Sequence, residues 1–153
     1  MAARKGLKAI TMTEIEDATI KVVVGVEKRS HVVNDKDKKI TSYHEAGHAV
    51  ACRYLDTQDP VHQISIIPRG MAGGYTLSLP SEDKAHMTRQ EMKENIVMLL
   101  GGRVAEALVL DDITTGASND IERASDLARK MVMKYGMSEK LGPINFSGGQ
   151  RCV

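Results

Sequence analysis

One short motif, His44-Glu45-Ala46-Gly47-His48, constrains this sequence more than any other stretch. The residues around it, from about Asp35 to Leu55, have a helical pattern, and on a helix positions four apart lie on one face about 6 Å apart. Two imidazoles placed in this way can reach one metal ion, with bonds of about 2.0–2.1 Å if the metal is zinc. Glu45 stands roughly 100° further around the helix, where its carboxylate can meet a metal-bound water instead of the metal. The motif therefore predicts a helix that presents a metal site.

Two histidine ligands and one base at this spacing are typical of zinc peptidases. The alternative is a surface helix that carries two histidines and an unrelated glutamate by coincidence. Because the whole sequence of 153 residues contains only five histidines, we favour the metal site.

Composition excludes several other classes of protein. The formal net charge of +1 gives no electrostatic basis for binding nucleic acid or an anionic membrane surface. No apolar run approaches the roughly 18 residues of a membrane-spanning helix, and the N-terminus lacks the apolar core of a signal peptide. The two cysteines, Cys52 and Cys152, are far apart in the sequence, so a disulfide framework is not indicated and a reducing compartment is favoured.

The periodicity of apolar residues predicts a mainly helical α+β fold. A first helix is expected to begin at Glu14, behind a Thr13–Glu16 capping box. Another helix is expected after the motif helix, behind a capping box of Thr88 with Glu91. Ser118 is expected to be the N-cap of a further helix. In the motif helix we expect one apolar stripe to face the core, formed by Ile40, Tyr43, Gly47, Val50, Ala51 and Tyr54.

A small β-hairpin is predicted beside the motif helix. Residues 62–67 alternate loosely between apolar and polar side chains, residues 75–79 alternate regularly, and turn-forming residues separate the two runs. An edge strand at this place can bind an extended peptide by strand addition, using main-chain hydrogen bonds. A purely structural hairpin is the other interpretation, and the sequence does not decide between them.

Glycines inside two predicted helices indicate close packing. Gly101-Gly102 interrupts the apolar pattern of the helix predicted after Thr88, which favours tight contact with another element. Gly47 costs its helix about 1 kcal/mol relative to alanine. It either admits the close approach of another backbone or is simply tolerated.

A catalytic zinc site needs a third protein ligand, with the fourth position left to water. The extended pattern HExxHxxGxxH is excluded, because Ala51 and Tyr54 stand where it requires glycine and histidine. The remaining candidates are side chains of suitable chemistry, namely His62, His86, Glu106, Asp111, Asp112 and Asp120. Glu106 and Asp120 lie on predicted helices, which hold a ligand more firmly than a loop does, although Asp120 also suits a helix N-terminus for dipole reasons alone. The residues by themselves leave this choice open.

Three separated segments resemble the peptidase domain of the FtsH family of membrane-anchored, ATP-dependent AAA zinc metalloproteases. They are Tyr43-His44-Glu45-Ala46-Gly47-His48-Ala49, Leu100-Gly101-Gly102-Arg103-Val104-Ala105-Glu106 and Thr114-Thr115-Gly116-Ala117-Ser118-Asn119-Asp120. The resemblance implies one Zn²⁺ per chain with His44, His48 and Asp120 as its ligands. It also implies that Glu45 is the general base and that Glu106 has a supporting role near the site.

The resemblance extends from about Ala2 to Ile144 and implies a domain organisation. Residues 1–33 are expected to be the tail of the small helical subdomain of an AAA ATPase, with a linker. Residues 34–146 are expected to form the zinc peptidase domain, truncated on its C-terminal side, and residues 147–153 to be a disordered tail.

The sequence contains no G-x-x-x-x-G-K-[ST] loop, so ATP is expected to bind only in a separate ATPase domain of the full-length protein. The chain is therefore expected to be a soluble fragment of a larger protein. For that protein the resemblance implies polypeptide substrates, a homo-hexamer, no nucleic-acid partner, and anchorage in the cell membrane through transmembrane segments absent here, with this domain facing the cytoplasm.

Two other classes of function stay open from the residues alone. A non-catalytic metal-binding or oligomerisation module would enclose its metal with a fourth protein ligand. An inert helical scaffold would bind no stoichiometric zinc.

Overall fold

The fold is described from a computed structural model, for residues 6, 8–27, 33–70, 72–80 and 82–147. The elements in chain order are α1 (Met12–Val23), α2 (Asp35–Tyr54), β1 (Val61–Ser65), β2 (Tyr75–Ser78), α3 (Arg89–Leu110) and α4 (Ser118–Met133), with a 3₁₀ turn at Thr115–Ala117. The predicted mainly helical α+β fold with a small hairpin is confirmed. None of the helices in these ranges combines the length and apolar character needed to cross a membrane. Cys152 and all but the first residue of the predicted disordered tail lie outside the described residues.

Helix α2 carries the HExxH motif near its middle. Asn34 caps the helix by accepting a hydrogen bond from the main-chain N–H of Asp37 at 2.7 Å. Asp35 and Asp37 place negative charge in the first turn, where the helix dipole favours it. The helix ends at Tyr54, one residue before the predicted end.

Helices α2 and α3 meet backbone to backbone. A Cβ built on Gly47 would lie 2.5 Å from the carbonyl oxygen of Gly101, and one built on Gly101 would lie 2.8 Å from the carbonyl oxygen of Gly47. Real Cβ atoms essentially never come this close to another atom, so only glycine permits this crossing. The packing interpretation of these glycines is confirmed.

The predicted apolar stripe of α2 is wrong in part. Val50 is 59% exposed and Tyr54 is 83% exposed. The close crossing with α3 needs small residues such as Gly47 and Ala51 at the contact. The buried side of α2 is therefore rotated toward these residues and the two histidines.

The hairpin lies between α1 and α2. Its strands are antiparallel, with Ser65 opposite Tyr75. The side chains of Tyr75 and Leu77 are buried against Ile20 of α1. Thr76, which alternates with them, faces α2, where its hydroxyl reaches Glu45. One strand thus contacts a helix on each of its faces.

Two predicted helix starts are corrected. Helix α1 begins two residues earlier than expected, because the capping box is formed by Thr11 with Glu14. The T-x-x-E pattern occurs in two overlapping frames here, and the sequence alone did not distinguish them. Ser118 is the first residue of α4 and not its N-cap, because the 3₁₀ turn runs directly into the helix. The predicted capping box of Thr88 with Glu91 is confirmed.

Candidate metal centre

Three potential ligand atoms from two helices converge on one point. Nε2 of His44 and Nε2 of His48 are 3.0 Å apart. Oδ2 of Asp120 lies 3.3 Å from the first of these nitrogens and 3.5 Å from the second. A tetrahedral zinc ion with bonds of about 2.0–2.1 Å separates its ligand atoms by about 3.3–3.4 Å. The three edges of this triangle therefore match the spacing that a zinc ion requires, and two nitrogens with one carboxylate oxygen are donors that zinc accepts.

The other nitrogen of each imidazole is held by an acceptor. Nδ1 of His48 lies 2.8 Å from the carbonyl oxygen of Met98. Because a carbonyl can only accept, Nδ1 carries the hydrogen, and the Nε2 lone pair of the neutral ring faces the centre. Nδ1 of His44 lies 2.7 Å from Oε1 of Glu106 and is oriented in the same way. Both histidines are thus fixed in the tautomer that a metal needs.

Glu106 lies beside the site, where the resemblance led us to expect it. It has no exposed surface. One carboxylate oxygen accepts from His44, and the other accepts from the main-chain N–H of Thr114 at 2.9 Å. The carboxylate therefore connects α3 both to a histidine of α2 and to the segment that leads into α4.

Asp120 lies in the first turn of α4. The preceding 3₁₀ turn is anchored by Ala117, which is completely buried. Burial of the carboxyl opposes ionisation, but its hydrogen bonds with His44 and His48 hold the pKa of Asp120 well below its usual range. In the protonated form of His44, Nε2–H can donate to Asp120, and this hydrogen bond raises the pKa of His44 against the effect of burial. The site thus holds an anionic carboxylate against the two imidazoles.

Glu45 directly follows His44 in the chain and is buried, with an exposed fraction of 6%. Its Oε2 accepts a hydrogen bond from the hydroxyl of Thr76 at 2.8 Å. Burial raises the pKa of the Glu45 carboxyl, although the hydrogen bond from Thr76 works in the opposite direction. Thr76 was not among the candidates predicted from the sequence. The alternation of polar and apolar residues in a short strand does not indicate which helix the polar side chains face.

Two glycines leave room for the functional side chains. A Cβ on Gly102 would lie 2.6 Å from Nε2 of His48 and 2.7 Å from Cε1 of His44. A Cβ on Gly74, directly before β2, would lie 3.0 Å from Oε1 of Glu45. Larger residues at either place would occupy the space that the site uses.

The remaining sequence candidates stay outside this cluster. His62, His86, Asp111 and Asp112 are all exposed. Across the ranges that the structure describes, His44, His48 and Asp120 are the group of histidine, cysteine and acidic side chains close enough together to hold a metal ion. The geometry thus brings together the three residues that the resemblance implies as ligands.

A motif helix with two inward imidazoles, a carboxylate from a separate helix beside them and an adjacent buried glutamate are together typical of a metallopeptidase domain of the HExxH class. The comparison with known families agrees with this class. The model of peptidase family M41 matches residues 31–152, and the chain belongs to this family.

Known relatives confirm the resemblance to FtsH. The ATP-dependent zinc metalloprotease FtsH 1 of Thermoanaerobacter sp. (strain X514) is 62% identical over 146 residues, covering 95% of this chain and 24% of the relative. The ATP-dependent zinc metalloprotease FtsH 2 of Alkaliphilus metalliredigens (strain QYMF) is 58% identical over 149 residues, covering 97% of this chain and 22% of the relative. The ATP-dependent zinc metalloprotease FtsH of Caldicellulosiruptor bescii is 56% identical over 153 residues, covering 100% of this chain and 25% of the relative. The chain thus spans about a quarter of the length of these relatives.

Proposed function

We propose that this chain is the zinc endopeptidase domain of an ATP-dependent protease. His44, His48 and Asp120 bind one zinc ion, and Glu45 is the general base. The observation that carries the proposal is the triangle of ligand atoms, with edges of 3.0, 3.3 and 3.5 Å, next to a buried glutamate that does not belong to it. With these three residues as ligands, a fourth coordination position would be free for water, as catalysis requires.

A zinc ion held by these residues would supply Lewis acidity and would lower the pKa of a bound water. Glu45 takes the proton of the attacking water and later returns it to the leaving amine nitrogen. A glutamate side chain suits both steps, because its carboxylate can hold the proton between them. Glu106 and the Met98 carbonyl keep the two imidazoles oriented throughout.

The substrates proposed are polypeptides in an extended conformation. Strand β2 presents Thr76 to Glu45 and so lies beside the reaction centre. Among the residues described, β2 pairs with β1 alone. Its other edge therefore offers main-chain donors and acceptors to a peptide of any sequence.

Other features of the full-length protein are proposed from its relatives and from the resemblance. ATP dependence is part of the relatives' names, and the absence of a phosphate-binding loop in this sequence assigns ATP to a separate ATPase domain. We also infer a homo-hexamer, anchored in the cell membrane with this domain facing the cytoplasm. Residues 1–33 would be the tail and linker of the ATPase subdomain, and residues 34–146 the peptidase domain.

The test is Glu45→Gln in the full-length protein that contains this chain, with zinc, ATP and unfolded casein. Glutamine keeps the size of the side chain and its ability to accept from Thr76, but it cannot take a proton. Casein hydrolysis should fall at least about 10²-fold, the lower range for positioned acid–base catalysis, while the zinc content stays the same.

Glu94→Gln is the matched control, because Glu94 is also buried and accepts from a threonine hydroxyl, but in contact with Thr57 away from the zinc ligands. It should keep the parent rate per folded molecule. Parent-level hydrolysis by the Glu45→Gln variant would show that Glu45 is not the base. A parent protein that binds zinc and hydrolyses nothing would favour the non-catalytic metal-binding module.

A further inference from the structure

The hydroxyl of Thr76 contacts Glu45 at two places. It donates to the carboxylate Oε2 at 2.8 Å and lies 3.0 Å from the main-chain carbonyl oxygen of the same residue. The two residues are 31 positions apart in the chain. The strand therefore holds both the backbone and the side chain of one residue of α2.

Thr76 is itself firmly placed. Its neighbours Tyr75 and Leu77 are buried against Ile20 on the opposite face of the strand. A β-branched side chain in a strand has restricted rotation about χ1, which fixes the position of the hydroxyl oxygen. The hydroxyl oxygen is thus held within hydrogen-bonding distance of the carboxylate.

The strand also comes unusually close to α2 just before Thr76. A Cβ on Gly74 would lie 2.5 Å from Cγ2 of Thr41 and 3.0 Å from Oε1 of Glu45. This close approach brings the hydroxyl within hydrogen-bonding distance. A glutamate has three rotatable side-chain bonds, and α2 by itself fixes few of them.

We propose that Thr76 is a positioning residue for peptide hydrolysis. This proposal rests on the proposed function, in which Glu45 is the general base. Thr76 binds one carboxylate oxygen, Oε2, and so turns the other, Oε1, toward the attacking water. The proton passes from that water to Oε1 and from there to the leaving amine nitrogen, so Thr76 itself neither gains nor loses a proton.

A second threonine–glutamate pair supplies the comparison. The Thr57 hydroxyl donates to Oε2 of Glu94 at 2.6 Å, and Glu94 is buried like Glu45. If the bond from Thr76 only stabilised the fold, removing either hydroxyl should have similar consequences. The positioning role instead predicts an effect on turnover for Thr76 alone.

The variants are Thr76→Val, Thr76→Ser and Thr57→Val, each in the full-length, zinc-loaded protein with casein and ATP. Valine keeps the shape of threonine without the hydroxyl, and serine keeps the hydroxyl. We expect kcat of Thr76→Val to fall about 10–100-fold, the rate equivalent of one hydrogen bond to a charged group, with KM and zinc content unchanged. Thr76→Ser should recover most of this loss, and Thr57→Val should keep the parent kcat.

A double variant tests whether Thr76 acts through Glu45. In a protein that already carries Glu45→Gln, Thr76→Val should cause little further loss, because residues that act as one unit are strongly non-additive. A full additional loss would overturn the proposal. So would a parent kcat in Thr76→Val, a loss in Thr76→Ser as large as in Thr76→Val, or a change confined to KM.

Crystal structures of the same variants separate this proposal from the proposed function. The Glu45 side chain should leave its position in Thr76→Val and keep it in Thr76→Ser. An unmoved carboxylate in Thr76→Val would overturn the positioning role, whatever the activity. Absence of zinc-dependent hydrolysis in the parent would instead overturn the proposed function, and the crystallographic comparison would still decide what Thr76 holds.

Discussion

Nδ1 of His44 lies 2.7 Å from Oε1 of Glu106, a carboxylate with no exposed surface. Its other oxygen accepts from the main-chain N–H of Thr114, in the segment that leads to Asp120. The buried Glu106 carboxylate therefore orients His44, one candidate zinc ligand, and holds the segment that leads to Asp120, another candidate ligand. Carboxylates that hold a ligand histidine in this way raise its basicity and set its tautomer.

Replacing Glu106 by glutamine should weaken zinc binding. The carboxylate accepts two N–H donors, whereas a glutamine amide can accept with its oxygen alone and turns an NH₂ group toward the second donor. We expect the zinc affinity to fall about 10–100-fold, the usual consequence of losing such a partner, as measured by competition with a chelator.

Asp111→Asn is the control for the Glu106 variant. Asp111 is an exposed acid at the end of α3 with φ of 51°, a conformation that asparagine also tolerates. Its zinc affinity should equal that of the parent. An unchanged affinity in Glu106→Gln would show that the buried carboxylate serves the fold and not the metal.

Gly102→Ala should damage the metal centre directly. The added Cβ would lie 2.6 Å from Nε2 of His48 and 2.7 Å from Cε1 of His44, so one or both imidazoles must move. We expect a substoichiometric zinc content in protein that is still helical by circular dichroism. Val104→Ala, on the exposed part of the same helix, should bind zinc fully. Full zinc occupancy in Gly102→Ala would show that the imidazoles accommodate the methyl group without losing the metal, and that Gly102 is not required for the site.

Zinc binding should release protons at mildly acid pH. The hydrogen bond to Asp120 raises the pKa of His44 above the ordinary value of 6.5, and a ligand histidine must be neutral. Below the raised pKa zinc has to displace a proton, so the apparent affinity should increase with pH by about tenfold per unit for each proton released. Above the raised pKa this dependence should level off.

Calorimetric titration with zinc in two buffers of different protonation enthalpy measures the released protons. The same titration at a pH well above the His44 pKa is the internal control and should show a smaller release. Equal proton release at both pH values would contradict a raised pKa at His44.

Local sequence patterns predicted the structural features that depend on residues close to one another in the chain. The spacing of His44 and His48 placed both imidazoles on one face of a helix, and Thr88 with Glu91 marked the start of α3. The alternation of Tyr75 and Leu77 predicted the second strand of the hairpin. These features follow from helix and strand periodicity and from capping chemistry.

Contacts between distant parts of the chain were not predictable from such patterns. Asp120 is 76 residues from His44, and only the resemblance selected it among six candidates. The link from Thr76 to Glu45 had no sequence signal at all. The Gly101-Gly102 pair indicated close packing, but it did not reveal that one glycine meets a backbone and the other meets two imidazoles.

The zinc coordination sphere tests the central claim most directly. A crystal structure of the zinc-loaded protein, with diffraction data collected at the zinc absorption edge, identifies the metal and its ligands together. We predict one zinc ion bound by Nε2 of His44, Nε2 of His48 and a carboxylate oxygen of Asp120, with a fourth ligand that is not a protein side chain. A zinc ion enclosed by four protein ligands, or one that does not contact Asp120, would contradict this account.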